Sequence, residues 1–357
     1  MKSSDLRIAR PRNGKTIAIW LYCVAFLVFL IIMVGGATRL TNSGLSIVHW
    51  SPISGVIPPL NASDWQQEFE LYQKIPEYIL QNQGMNLAEF KRIFWWEWAH
   101  RLLGRVIGFA VLIPLLVLGL GKKLSTKDVA PLFTIALLVG LQGLIGWWMV
   151  SSGLDAGRVD VASYRLAAHL GMGFFLLGLL LKLATEYWGA VKISPLKSNF
   201  WTAILSLVFI QVILGAFTAG SHAGLVHNDW PKIDGHWLPQ EYLRLQPIWE
   251  NFSQNTQTIQ FNHRIMAYVI FGLLAFDRVK HRFNASNATQ KNANWAFFAC
   301  LAQVILGISL LSIFGKYTPP HVIGVNMGVA HQALAAIFFG LVVLAWLSSH
   351  KTDKQHT

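Results

Sequence analysis

Four histidines stand where imidazoles are rare. His100, His169, His263 and His331 each fall near the start of a long apolar run, two in each half of the chain. Ionisable groups in apolar spans mark function by default. A neutral imidazole is a good ligand for iron, and facing helices of a bundle can present two imidazoles to one porphyrin. The pattern points to two axial-ligand pairs, His100 with His169 and His263 with His331. The Leu, Phe, Gly and Ala around them suit a large flat apolar ligand. Two alternatives stay open from the residues alone: interfacial histidines bonded to water, and bare metal such as copper. Four histidines at equivalent places favour ligation of haem iron.

A carboxylate accompanies only one pair. Glu97, in Trp95-Trp96-Glu97-Trp98-Ala99-His100-Arg101, lies three residues before His100, so both project from one helical face. There it could act as acid, base or transient nucleophile, or as the ion-pair partner of Arg101 with Arg105 one turn on. The other half has Gln260 at the matching place before His263. One half therefore reads as reactive and the other as carrier or support. Arg101 and Arg264 directly follow His100 and His263. They read either as partners of anionic haem propionates or as interfacial anchors.

The elements that must position these groups follow from composition. The chain has 357 residues, 54% hydrophobic and 13% charged, where a soluble domain carries about 25% charged residues. Apolar stretches of membrane-spanning length recur, which predicts an all-α polytopic membrane protein. Eight helices are expected near 17–37, 97–120, 130–151, 163–186, 199–220, 259–279, 293–314 and 322–347. The first is too long for a signal peptide core and reads as an uncleaved span. The net charge of +12 sits in short connections, so topology accounts for it and no nucleic-acid signature appears. With the N-terminus inside, basic residues such as Arg10, Lys122, Lys123, Lys192, Arg278, Lys280 and Lys351 crowd one face, and most acids lie on the other. Both termini are then cytoplasmic, and the four histidines share one depth near the outer face.

The halves look like copies. Gly35, Thr38 and Ser43-Gly44-Leu45 match Gly215, Thr218 and Ala223-Gly224-Leu225. Gln142-Gly143-Leu144-Ile145-Gly146 matches Gln303-Val304-Ile305-Leu306-Gly307, and Ala168-His169 matches Ala330-His331. Two repeated four-helix bundles are expected, over 17–186 and 199–347, between cytoplasmic tails at 1–16 and 348–357. An even number of helices per repeat puts the axis relating them along the membrane normal. The long first outer segment carries Trp65, Phe69 and Tyr72 at helical spacing, suited to lying on the membrane or covering a site. Cys23 and Cys300 lie in separate spans outside any CxxC pattern, so covalent haem attachment is unsupported. The remaining histidines, His222 and His227 among them, read as solvated loop residues.

Together, Glu97-Trp98-Ala99-His100-Arg101, Ala168-His169, Asn262-His263-Arg264, Ala330-His331-Gln332 and the first-helix exit Val34-Gly35-Gly36-Ala37-Thr38-Arg39-Leu40-Thr41-Asn42-Ser43-Gly44-Leu45-Ser46 resemble the haem A synthase family over about residues 17–347. The resemblance implies oxidation of a haem O methyl to formyl, giving haem A for cytochrome oxidase. It implies haem b on His263 and His331, substrate haem O on His100 and His169, and Glu97 as the essential acid. Haem O synthase, oxidase assembly factors and an electron acceptor are the implied partners, and a bacterial inner membrane the implied location. Outer-loop cysteines found in some members are absent, as in the branch that includes the mitochondrial enzymes. A di-haem electron carrier and a haem transporter are the rival readings.

Overall fold

The computed structural model describes residues 13–51, 53–155, 157–189, 199–281, 288–316 and 322–349. Most of the two expected cytoplasmic tails, 1–12 and 350–357, lies outside the described residues. Eight long helices carry the fold: α1 Gly14–Leu40, α2 Leu87–Leu120, α3 Thr126–Ser151, α4 Ser163–Tyr187, α5 Asn199–Gly220, α6 Thr256–Lys280, α7 Ala288–Phe314 and α8 Val322–Ser349. All eight are long and apolar enough to cross a membrane. Helices satisfy every backbone polar group within the segment, which lipid demands. Among the described residues, extended pairing is confined to one isolated bridge between Ile233 and His236.

The helices outrun the apolar runs that predict them. The Asn86 side chain accepts hydrogen bonds from the Ala88 and Glu89 amides at 2.9 and 3.0 Å, and Glu89 accepts from the Asn86 amide at 2.9 Å. This reciprocal cap starts α2 well before residue 97. His100 therefore lies deep in α2 instead of opening it, and the other three histidines also sit beyond the first turn of their helices. Hydropathy finds the apolar stretch, whereas the capping side chains decide where hydrogen bonding begins.

α1, α2, α3 and α4 pack in a ring of neighbours, and α5, α6, α7 and α8 do the same. The rings meet through α4 on α5, α1 on α8 and α4 on α8. Exchanging the halves maps the first two contacts onto each other and the third onto itself, as a two-fold axis between α4 and α8 requires. Phe174 and Phe339 cross there edge to face at 5.4 Å between ring centroids. Gly178 and Gly340, at matching places on α4 and α8, leave room for Phe339 and Leu181. Small residues of this kind let membrane helices approach closely. Buried Leu21, Val28, Ile204, Leu177, Leu180 and Val343 fill the remainder of this interface.

The segment between α1 and α2 folds onto protein. Helices Ala62–Tyr72 and Pro76–Leu80 bury Trp65, Phe69 and Tyr72 against Phe90 and Phe94 of the extended α2. The amphipathic stripe thus has its apolar face taken by α2. In the segment between α5 and α6 His227 is buried, with its ring nitrogens 2.8 Å from Asp234 and 2.9 Å from Thr256. His222 is likewise held by protein partners, Arg39 and Asp160. The expectation that both are solvated loop residues fails, because tertiary contacts supply the partners that sequence position cannot show.

Candidate functional site

Each of the four imidazoles lies against a glycine of the preceding helix. A Cβ added to Gly35 on α1 would stand 2.8 Å from the His100 ring, and one on Gly146 of α3 would stand 2.8 Å from His169. In the second half the distances are 3.2 Å from Gly215 of α5 to His263 and 3.0 Å from Gly307 of α7 to His331. A Cβ at Gly35 or Gly146 would force the ring to move, whereas at Gly215 or Gly307 a shift of a few tenths of an ångström would admit it. The sequence repeat contains these glycines, but their contact with the histidines appears only on folding.

The backbone of three histidines is fixed in the same way. Gln142, Gln211 and Gln303 donate side-chain hydrogen bonds to the carbonyls of His169, His263 and His331 at 3.0, 3.1 and 3.0 Å. The place on α1 equivalent to Gln211 holds Ile31, so the His100 turn is not pinned by a matching amide. Buried Nδ1 atoms of His100, His263 and His331 have no hydrogen-bond partner. Leaving such a group unsatisfied costs about 1–3 kcal/mol, and each of these nitrogens lies on the ring edge turned to the glycine groove, while His331 Nε2 is 3.2 Å from the Gln303 amide.

The geometry suits a metal between two rings. The His100 and His169 centroids are 6.4 Å apart. Two metal–imidazole bonds of about 2.0–2.1 Å, plus the depth of each ring, give a centroid separation of about 6 Å. His263 and His331 line one cavity of about 370 Å³ with Phe174, Val212, Ile270, Cys300 and Phe338. That volume falls in the range of about 300–1,000 Å³ typical of ligand sites with mostly apolar walls. Among the described residues no group of three or more His, Cys, Asp or Glu could hold a bare ion. Paired rings in an apolar slot fit a porphyrin, whose own nitrogens complete the coordination.

Glu97 is buried beside the first pair and both its oxygens are engaged. Oε1 accepts from Arg101 Nη2 at 2.6 Å and Nε at 3.0 Å. Oε2 accepts from Ser46 Oγ and the Ile47 amide, each at 2.8 Å. The acid therefore ties α2 to the turn leaving α1. Arg101 also donates to the His49 and Ile47 carbonyls at 3.0 and 2.8 Å, and Arg105 to Ser51 at 2.7 Å. Arg264 repeats the pattern in the second half, donating to Lys232 at 2.9 Å and His227 at 3.1 Å. Both arginines staple the segment that precedes their own helix to it, next to a histidine of a pair. Arg264 also lines the cavity with a buried, unpartnered Nε.

Two features escape a reading of the sequence alone. Glu77, on the short helix Pro76–Leu80, is 3% exposed, and its Oε2 has no partner. Burial pushes its carboxyl up to about 8, with the negative charges of Glu97 and Asp160 adding and Arg39 opposing. A protonated acid thus stands within electrostatic reach of Glu97. Arg39, Asp160 and His222 form a polar cluster between the two halves. Burial works to raise the Asp160 carboxyl, but the His222 hydrogen bond and the Arg39 charge outweigh it and hold it below the ordinary value. Arg39 is visible in the first-helix exit motif, but nothing in its spacing places it against the second half.

Residues 18–343 match the family model described as Cytochrome oxidase assembly protein. A Heme A synthase of Parvibaculum lavamentivorans is 42% identical over 93% of each chain. A Heme A synthase of a Chelativorans species is 41% identical over 96% of this chain and 94% of its own, and that of Dinoroseobacter shibae is 40% identical over 95% and 88%. With two stapled histidine pairs on a duplicated helical frame, and matches that run almost end to end, the chain belongs to the cytochrome oxidase assembly protein family whose curated members include these haem A synthases.

Proposed function

We propose that the chain oxidises a methyl group of haem O to a formyl group, giving haem A, as an enzyme of a bacterial inner membrane. The observation that supports this is an asymmetry inside a repeat: two alike histidine pairs, of which only His100–His169 has a buried carboxylate alongside. The half over 17–186 takes haem O, with its iron on His100 and His169. The half over 199–347 holds haem b on His263 and His331, with Arg264 at the mouth. Haem b supplies one-electron redox chemistry when bound.

The chain's own residues set the geometry. Gly35 and Gly146 let the substrate-side imidazoles sit in the grooves of α1 and α3. Glu97 is 3% exposed, and such burial strengthens its charge interaction with Arg101. Arg101, Ser46 and the Ile47 amide fix Glu97 beside His100. The methyl passes through two hydroxylation-type steps, each taking oxygen from water and giving two electrons to the acceptor, and the second product loses water to leave the formyl group. Glu97 is the acid–base group for the protons released, and Arg101 holds it in position. Glu77 stands behind it as a protonated neighbour. The charge pattern puts both termini in the cytoplasm and both haem sites near the outer face. An electron acceptor, haem O synthase and oxidase assembly factors are the partners this activity calls for.

The test is extraction of pigment from membranes making the chain with haem O, followed by identification of haem types by mass. Haem A is the expected product, with haem b retained by the protein. Haem b alone, with both histidine pairs loaded, would mark an electron carrier and overturn the proposal. A colourless protein would mark a transporter.

A further inference from the structure

The outer mouth of the second cavity receives a cation from the first half of the chain. Arg39, at the end of α1, lies 3.3 Å from Asp160 and donates to the Ala219 carbonyl at 3.2 Å. Its Nη2 is 2.7 Å from His222 Nε2, and that nitrogen is also 2.9 Å from Asp160. One ring nitrogen cannot accept from a guanidinium and donate to a carboxylate at once. The cluster is therefore one acceptor short. The Nε atoms of Arg39 and Arg264 are both buried without partners. Arg39, His222 and Arg264 all line the cavity that contains His263 and His331.

Two guanidinium Nε donors thus stand unpartnered at this mouth, with the unpartnered Gln260 Oε1 also in the lining, and the walls behind are apolar. A flat apolar ligand edged with carboxylates matches both features, since guanidinium binds carboxylate through paired, charge-assisted hydrogen bonds. The geometry points to Arg39 and His222, with Arg264, as the receptor for the propionates of the porphyrin held between His263 and His331. Asp160 is the residue that positions Arg39 across the interface between the halves. This rests on the reading of the second cavity as the haem b site.

The repeat explains why only one half has this device. Asn42 and His222 occupy matching places, and both adopt left-handed backbone with φ of 49° and 54°. The same turn is thus built twice. Arg39, however, matches Ala219, which has no charge, and His222 matches Asn42. The half that keeps its haem gains a second-half histidine and a first-half arginine. The half that must release its product gains neither.

The experiment measures release of iron protoporphyrin IX from the full chain in detergent to an apo-globin acceptor. Arg39→Met should speed release about 10- to 100-fold, the equivalent of losing one charge-assisted hydrogen bond. Its low-spin bands should persist, and its reduction midpoint should fall because a cation no longer favours the more negative reduced state. Arg39→Lys should recover part of the retention. With the dimethyl ester of the same porphyrin, wild type and Arg39→Met should release at the same rate. Equal acceleration for acid and ester would show Arg39 to be merely structural and overturn the assignment. Should Arg39→Met fail to fold, His222→Gln carries the same acid-against-ester comparison. If His263→Ala and His331→Ala leave a wild-type spectrum, the haem reading itself fails. If they abolish the spectrum while the ester makes no difference, only the propionate receptor fails.

Discussion

The two halves use one frame for two demands. In both, a glycine on an odd-numbered helix seats a histidine on the next, and an arginine beside the first histidine ties down the preceding loop. They part at several places near the histidines. Glu97 stands where the second half has Gln260. The His100 turn faces Ile31 where the His263 turn has Gln211. Arg39 serves the second cavity, while its counterpart Ala219 has no charge to offer the first. On the proposed reading, these differences loosen or activate the first site and tighten the second. A duplicated fold can divide reactant from cofactor by a few side chains, because shared packing already sets ring depth and spacing.

The strongest way to break this comparison is to remove ligands half by half. His263→Ala or His331→Ala should abolish the low-spin haem spectrum of the purified protein. His100→Ala or His169→Ala should leave bound haem b and abolish haem A formation, read by pigment mass. Equal loss of haem b from all four variants would end the division of roles.

Next in size is the acid. Glu97→Gln keeps hydrogen bonding to Ser46 but loses the charge facing Arg101, and should cut conversion by about 10²-fold or more while haem b stays bound. The reciprocal change, Gln260→Glu, should not make the second half reactive. Conversion at the normal rate in Glu97→Gln would remove the acid from the mechanism.

A smaller effect is expected at the glycines. A methyl at Gly146 stands closer to its ring than one at Gly215, at 2.8 against 3.2 Å. Gly146→Ala should therefore lower conversion several-fold, as a positioning error of about 1 Å is enough to cost rate. Gly215→Ala should give only a modest change in the haem b spectrum. The opposite order would show that ring seating does not follow these contacts.

The smallest effect concerns Glu77. Its carboxyl titrates near 8 in the folded chain against an ordinary value of 4.5, so folding favours the protonated form. The sign follows: ionisation costs more in the folded state, and stability is lost as pH rises from about 4.5 through about 8. Thermal unfolding in detergent should show Glu77→Gln gaining on the wild type across that window and matching it below. A constant difference at all pH values would place the Glu77 contribution elsewhere.

Much of this protein is written along the chain. Eight apolar runs must become helices because lipid offers the backbone no partners, and the spacing of Glu97 from His100 puts both on one helical face whatever the rest of the fold does. Repeated Gly, Gln, Ala-His and His-Arg signatures disclose the duplication and pair the histidines. The early start of α2 was not legible in hydropathy, because the Asn86–Glu89 cap, not apolar content, sets it.

What only the tertiary structure decided are contacts between distant segments. The nesting of Gly35 against His100, the two bonds from Ser46 and the Ile47 amide that hold Glu97 of α2 at the exit of α1, the burial of Glu77, and the meeting of Arg39 with Asp160 and His222 all depend on how helices pack side by side. Periodicity along one helix reports which face is apolar and which residues share it. It carries no information on which face of another helix, far off in the chain, will come to lie against it.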